Sequence, residues 1–239
     1  MTKMNAIILA GGQGTRLRTV VKDLPKPLAP INGHPFIEIL LCYLEFNGFD
    51  RIIISTGYMQ EAFEPYKKGF RGLKIQLSPE DEPLLTGGAS KKAASLLGDE
   101  PVLIMNGDSF TEVDLRNVYS EFVSDKDTDV LLVVQKISGD SGRYGKVVID
   151  ENNRVINFAE KTSEVDSEYI SAGILVTRAS LFSKIKKEKF SLEKDFLEKF
   201  NDLNIKIKAY KTYRDFIDIG IPEDYFRAWE MLSVYQKDK

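Results

Sequence analysis

The 239-residue chain carries 33 Lys and Arg against 36 Asp and Glu, a net charge of −3, with 43% hydrophobic and 29% charged residues. That is ordinary for a globular domain, and without a basic excess to neutralise a phosphate backbone it argues against a general nucleic-acid binder. One cysteine, Cys42, and one histidine, His34, allow neither an internal disulfide nor a Cys/His zinc site.

The opening apolar run is five or six residues long and ends in glycines. It is too short to span a membrane and has no signal-peptide cleavage region, so a cytoplasmic protein with no membrane association is expected.

In chain order, short β-rich apolar runs alternate with segments of helical period, the pattern of βαβ units around a mainly parallel sheet. A strand over Asn5 to Ala10 leads through a long loop to a helix over Pro35 to Phe46, where Cys42 is expected to be buried. A strand over 51–57, a helix over 59–69 and a strand over 73–79 follow. A glycine-opened helix over 86–98 precedes a strand over 101–110, whose polar end carries Asp108.

Beyond about residue 125 strands dominate. They are expected over 129–137, over 145–161 as a hairpin turning at DENN, and over 168–178. Helical segments near 178–187 and 191–201 lead to a strand over 205–213. A last helix runs from Pro222 to Gln236, with Glu223 and Asp224 in its first turn. Trp229, Tyr225 and Met231 are expected to pack this helix on the core, with a homodimer contact as the other reading. The whole reads as a single α/β domain with one shared sheet.

The loop after the first strand lies at the sheet edge where such folds bind ligands. Gly11, Gly12 and Gly14 are expected to take positive φ and turn several N–H groups toward one anion. The P-loop pattern fails for want of a closing Lys-Ser/Thr pair, and the dinucleotide fingerprint fails because Leu17 stands where a glycine is required. Arg16 and Lys26 remain. Pro25 and Pro27 bracket Lys26, and Pro27 is expected to keep it out of the helical region. Two held cations beside a glycine loop suit a triphosphate.

The segments LAGGQGTRL and LPKPLAPING together resemble the signature of the sugar-phosphate nucleotidyltransferases. Further similar segments run through nearly the whole chain: LTGGA, MNGDSF, RYGKVVID, FAEK, SAGILV, FSLEKDFL and FIDIGIPEDY. Within that family they most resemble D-glycero-α-D-manno-heptose 1-phosphate guanylyltransferases, with mannose-1-phosphate guanylyltransferases next. The resemblance implies a Rossmann-like fold of the GT-A type, a mixed, mainly parallel sheet flanked by helices. It also implies a nucleotide-binding half over about 1–125 and a sugar-phosphate-binding half over about 126–239.

The implied reaction joins a nucleoside triphosphate, GTP first, to a sugar 1-phosphate and releases pyrophosphate, supplying bacterial surface polysaccharide. By the same resemblance, Asp108 and Asp218 would hold one Mg²⁺, while Arg16 and Lys26 would bind the β- and γ-phosphates. Leu9, Gly11, Gly12, Gly14 and Thr15 would hold the nucleotide, and Thr86, Gly87 and Gly88 would line the base pocket. Lys161 would grip the sugar phosphate and Glu160 the sugar hydroxyls, with Gly145, Ser171 and Gly173 against the sugar. Glu160 and Lys161 can both serve only if the strand bends there.

Two positions depart from the family pattern. Leu85 stands where a glycine is usual and is expected to reshape the base pocket, and Ser171-Ala172 replaces an Asn-Gly or Asn-x pair. A UTP, dTTP or CTP donor, mannose 1-phosphate as acceptor, a glycosyltransferase and a non-catalytic nucleotide-sugar sensor stay open. A sensor would not need Arg16, Lys26 and Lys161 together.

Overall fold

In the computed structural model, which describes residues 3–137, 142–161 and 165–233, strand β1 (Asn5–Ala10) runs through the middle of one sheet. Ala6, Ile8 and Ala10 face one side and Ile7 the other, all buried. Burial on both faces is why this strand reads as a continuous apolar run. A small hairpin, β2 (Pro30–Ile31) and β3 (His34–Pro35), leads into α1 (Phe36–Phe46) and β4 (Arg51–Thr56), which pairs parallel with β1. β5 (Lys74–Pro79) adds to the outer side of β4. Helix α2 (Leu85–Ser95) then carries the chain back to β6 (Pro101–Asn106), on the other side of β1. That reversal makes a switch point between β1 and β6, where open α/β sheets bind ligands.

The second half contributes β7 (Ser109–Thr111), α3 (Leu115–Ser124), β8 (Val130–Lys136), β9 (Lys146–Ile149), β10 (Val155–Ala159), β11 (Tyr169–Arg178), β12 (Ile207–Thr212), β13 (Phe216–Asp218) and α4 (Pro222–Met231). β11 runs antiparallel to both β6 and β8, and β12 is parallel to β8. The main order is therefore β5-β4-β1-β6-β11-β8-β12 with one reversed strand, and the β9–β10 hairpin joins it where Ile170 faces Lys146. Both halves share the sheet, as expected. Phe36, Leu40, Val118, Phe122 and Ala228 cover one face, and Ala93, Ala94, Phe182, Phe190 and Phe196 the other. No helix among the described residues is long and apolar enough to cross a membrane.

Several elements differ from expectation. The sequence reading assigns nothing to α3, although Leu115, Val118, Tyr119 and Phe122 are buried at helical spacing and Asp114 caps the Asn117 N–H at 2.8 Å. The helix expected over 59–69 is a 3₁₀ segment, Gln60–Lys68, with Pro65 inside it. The segments near 178–187 and 191–201 shorten to a 3₁₀ turn at Ala179–Lys184 and a π-helical turn at Leu192–Leu197. The strand expected over 101–110 breaks at Gly107 and Asp108. Cys42 is half-buried, with Arg71 Nη1 3.4 Å from its sulfur. On α4, Tyr225 packs inward and donates to the Pro30 carbonyl at 2.5 Å, whereas Trp229 stays 41% exposed. The expected extension of this helix to Gln236 lies outside the described residues.

Two local devices hold the site's supports. Tyr43 on α1 donates its hydroxyl to the Val113 carbonyl at 2.6 Å and accepts the Val113 N–H at 2.7 Å, joining α1 to the start of α3. Burial pushes this phenol up to about 12, so it is a donor at neutral pH. At the other end, the Gly87 and Gly88 amides donate to the Phe190 carbonyl at 3.0 and 3.2 Å. A Cβ on Gly87 would sit 2.3 Å from the ring of Phe190, which is fully buried.

Tyr43→Phe leaves both polar groups of buried Val113 without this partner and is expected to cost about 2 kcal/mol in urea denaturation. Gly87→Ala gains about 1 kcal/mol of helix propensity but loses about 1–3 kcal/mol to overpacking. The clash should win, lowering the denaturation midpoint; an unchanged or raised midpoint would refute the packing role.

Candidate active site

Backbone geometry builds the first wall of the site. Of the three loop glycines expected to take positive φ, only Gly14 does, at 58°, and its carbonyl accepts the Leu17 N–H at 3.1 Å. Gly11 makes a close approach instead: a Cβ there would lie 2.5 Å from Glu80 Oε1, so the carboxylate would have to move. Gly12 is exposed and faces open space. The loop is thus a close-approach surface more than a nest of left-handed residues. With Leu9, Thr15, Tyr58 and Glu80 it lines an open cavity of about 960 Å³.

The base-pocket expectation needs correction. Gly87 and Gly88 are buried and their amides are spent on Phe190, so they pack α2 instead of lining the cavity. Thr86 does line it, but its hydroxyl donates to Glu193 Oε2 at 2.6 Å and accepts the Leu192 N–H at 2.9 Å. Leu85 also lines it, 49% exposed and at φ 62°, a region in which a leucine is strained. Glu80, which the sequence reading does not single out, accepts the Leu84 N–H at 2.8 Å, and burial raises its pKa.

At the mouth of this cavity lies the charged centre. Gly107 donates to the Leu9 carbonyl at 2.9 Å, bringing the ends of β1 and β6 together and placing Asp108 beside the glycine loop. The antiparallel pairing of Asp218 with Ser109 brings in the second carboxylate. Lys26 Nζ lies 2.5 Å from Asp108 Oδ2 and 3.2 Å from Asp218 Oδ1, with only 9% of its side chain exposed. Pro27 does not keep it extended: Lys26–Leu28 close a 3₁₀ turn in which Leu28 N–H bonds the Pro25 carbonyl at 2.8 Å. Lys26 is the first residue of that turn and Pro27 the second, where no N–H is needed.

Burial pulls the Lys26 ammonium down, but Asp108 and Asp218 outweigh it and hold its pKa above the ordinary value. Burial and the neighbouring Asp108 raise the Asp218 carboxyl, against the pull of Lys26 and the Gly220 N–H. Two carboxylates with oxygen donors only are a fit for a hard divalent cation that takes its remaining ligands from water and phosphate. Among the described residues no third His, Cys, Asp or Glu joins them.

A second cavity, about 140 Å³, opens on the far side of Arg16 and Asp108 and is also lined by Lys161, Glu160, Gly145, Ser171 and Gly173. β10 ends at Ala159 and Lys161 has φ 47°, so the chain does bend. Glu160, with 9% of its side chain exposed, and Lys161, with 59%, pair at 3.0 Å and face the same space. Burial raises the Glu160 carboxyl, against the pull of Lys161. Gly173 sits at φ 70° where the β8–β11 register shifts, and a Cβ there would meet Asn106 Nδ2 at 2.6 Å. Its amide donates to Ser171 Oγ at 3.3 Å.

Arg143, Tyr144 and Glu193 also line this cavity, although the sequence reading assigns them no role. Arg143 is anchored by Asp224 of α4 at 2.6 Å. The available signal was the adjacency of Arg143 and Tyr144 to Gly145, and Glu193 in the turn after Phe190.

The two cavities share Arg16, Asn106, Asp108, Glu160, Lys161 and Glu193, so a group bound in one reaches the other at a single polar seam. Comparisons with known proteins show the family. Residues 5–233 match the family model described as nucleotidyl transferase. The chain is 43% identical over 234 residues, 97% of its length and 100% of the relative's, to D-glycero-alpha-D-manno-heptose 1-phosphate guanylyltransferase of Aneurinibacillus thermoaerophilus. A protein of the same name from Campylobacter jejuni is 38% identical over 225 residues, 93% of this chain and 97% of that one. The crystal structure of HddC from Yersinia pseudotuberculosis complexed with GMP-PN aligns with a TM-score of 0.81 at 36% identity, covering 96% of this chain and 99% of that one. With a family model spanning nearly the whole fold and relatives matched end to end, this chain belongs to the nucleotidyl transferase family.

Proposed function

We propose that the protein is a D-glycero-α-D-manno-heptose 1-phosphate guanylyltransferase, transferring GMP from GTP to the sugar 1-phosphate to give GDP-heptose and pyrophosphate. The observation that carries the chemistry is the seam: a nucleotide-sized cavity and a smaller polar one meet at Arg16, Asp108 and Lys161. The base and the sugar are carried by the end-to-end likeness to two heptose 1-phosphate guanylyltransferases. The product would serve as a precursor of surface polysaccharide.

In the proposed reaction a phosphate oxygen of the sugar attacks the α-phosphorus in line, and the bond to the bridging oxygen of the leaving pyrophosphate breaks. The attacking oxygen is already anionic near neutral pH, so no general base is required. Catalysis then rests on alignment and on charge placed where the leaving group develops it. Arg16 and Lys26 face the β- and γ-phosphates, Lys161 holds the sugar phosphate, and Glu160 accepts from sugar hydroxyls. Asp108 and Asp218 would hold Mg²⁺, which supplies positive charge to the phosphates when bound.

Pyrophosphate release with GTP, UTP, CTP, ATP and dTTP against heptose, mannose and glucose 1-phosphates tests the assignment. Turnover is expected with GTP and the heptose; preference for another pair would move the substrate, and none anywhere would overturn the enzyme reading. Gly220→Ala probes the charged centre, since its Cβ would come 2.8 Å from both Lys26 Nζ and Asp218 Oδ1. The shift of both side-chain ends that admits this Cβ should lower kcat, by about 100-fold where it reaches about 1 Å, with the melting temperature moved by less than about 4 °C. Unaltered kcat in Gly220→Ala and in Lys26→Met alike would remove Lys26 from the reaction.

A further inference from the structure

Lys26 does more than approach the two carboxylates; its ammonium lies between them. It is 2.5 Å from Asp108 Oδ2 and 3.2 Å from Asp218 Oδ1. The latter oxygen also accepts the Gly220 N–H at 2.8 Å. Gly220 lies against the ammonium, where an added Cβ would come 2.8 Å from Nζ. A lysine ammonium is positively charged at neutral pH, so a full positive charge sits between the two acids. A divalent ion bound by the same oxygens at about 2.0–2.1 Å would lie almost on top of that charge. Like charges at such a separation repel strongly wherever water is scarce.

We propose that Lys26 and the divalent cation are alternative occupants of the Asp108–Asp218 notch, so that the enzyme without nucleotide holds metal poorly. The inference rests on the reading that these two acids bind the metal. Lys26 also lines the nucleotide cavity, and its four-carbon stem can swing toward it. Triphosphate oxygens give the departing ammonium a new partner, and its departure frees both carboxylates. Metal and nucleotide therefore bind with positive coupling, and each raises the affinity for the other by the same factor. Lys26 is the positioning residue that enforces this order, in addition to its contact with the phosphates.

The experiment is Mn²⁺ binding to the full chain without nucleotide, followed by loss of the free-ion electron paramagnetic resonance signal. Wild type is expected to bind weakly. Lys26→Met and Lys26→Gln should bind at least about tenfold more tightly, while Lys26→Arg, which keeps the charge, stays weak. Two neutral variants are used so that one misfolded protein, identified by its circular dichroism melt, leaves the other to decide. Adding Asp218→Asn to a neutral variant should remove the gain and so locate the ion. Neutral variants that bind no more tightly than wild type, or wild type that binds as tightly as they do, would overturn the exclusion while leaving the metal assignment intact. Absence of binding in every variant would overturn the metal assignment as well, and neither result depends on turnover.

Discussion

A lysine ammonium withdrawn from water is tolerable only with opposite charge beside it, and in this fold that condition ties three distant segments to one point. Asp108 and Asp218 lie 82 and 192 residues along the chain from Lys26. Each reaches it by a separate device. The Pro25–Leu28 turn aims the lysine, the Gly107–Leu9 bond sets the end of β6 against the end of β1, and the β7–β13 pair brings the last strand back across the sheet edge. α4 follows immediately, and its Asp224 anchors Arg143 in the second cavity. The arrangement of both cavities thus follows from how one buried positive charge is satisfied.

The strands of the first half were legible because a parallel strand buried on both faces leaves an unbroken apolar run, as in Asn5–Ala10 and Arg51–Thr56. The glycine loop and both cations were legible as types, because a switch-point loop has a known place in such sheets, whereas Asp108 and Asp218 were read as metal-directed only by the family resemblance. The pairing of these acids with Lys26 was not legible, since it spans most of the chain. α3 was missed although its buried residues fall at helical spacing, and the π-helical turn at Leu192–Leu197 has no reliable local signal. Local rules also misled. Pro27 was expected to keep Lys26 out of the helical region, but a single turn that starts at Lys26 is compatible with it. Gly87 and Gly88 looked like ligand-facing glycines and are packing glycines, because only the tertiary position of Phe190 reveals what a side chain there would strike.

Leu85 shows how a departure from a family pattern becomes physical. A leucine at φ 62° gives up conformational energy that a glycine would not, of order 1–2 kcal/mol, and its side chain remains half exposed, so burial returns little of it. Strain of this kind persists where the surroundings over-determine the backbone. Here Glu80 binds the Leu84 N–H on one side, and the Gly87 and Gly88 amides bind Phe190 on the other. The αL turn is therefore held by its neighbours, and the leucine adds a side chain to the cavity lining.

Charge at the seam sets the remaining constraint on the proposed reaction. Arg16, Lys26, Arg143, Lys161 and Lys194 are the cations of the two cavities, against Glu80, Asp81, Asp108, Glu160, Glu193 and Asp218. Lys26, Arg143 and Lys161 are already paired with carboxylates. A triphosphate brings about four negative charges at neutral pH and a sugar phosphate nearly two more. Five cations, three of them already paired with carboxylates, fall short of that load, and the carboxylates add to it. In the proposed reaction, assembly of both substrates at one seam would therefore draw on positive charge from outside the chain, delivered to the oxygen donors beside Lys26. On the exchange proposed above, a divalent ion arriving with the triphosphate would supply that charge as Lys26 turns toward the phosphates, so that a site with more acids than bases could gather two polyanions and still stabilise a departing pyrophosphate.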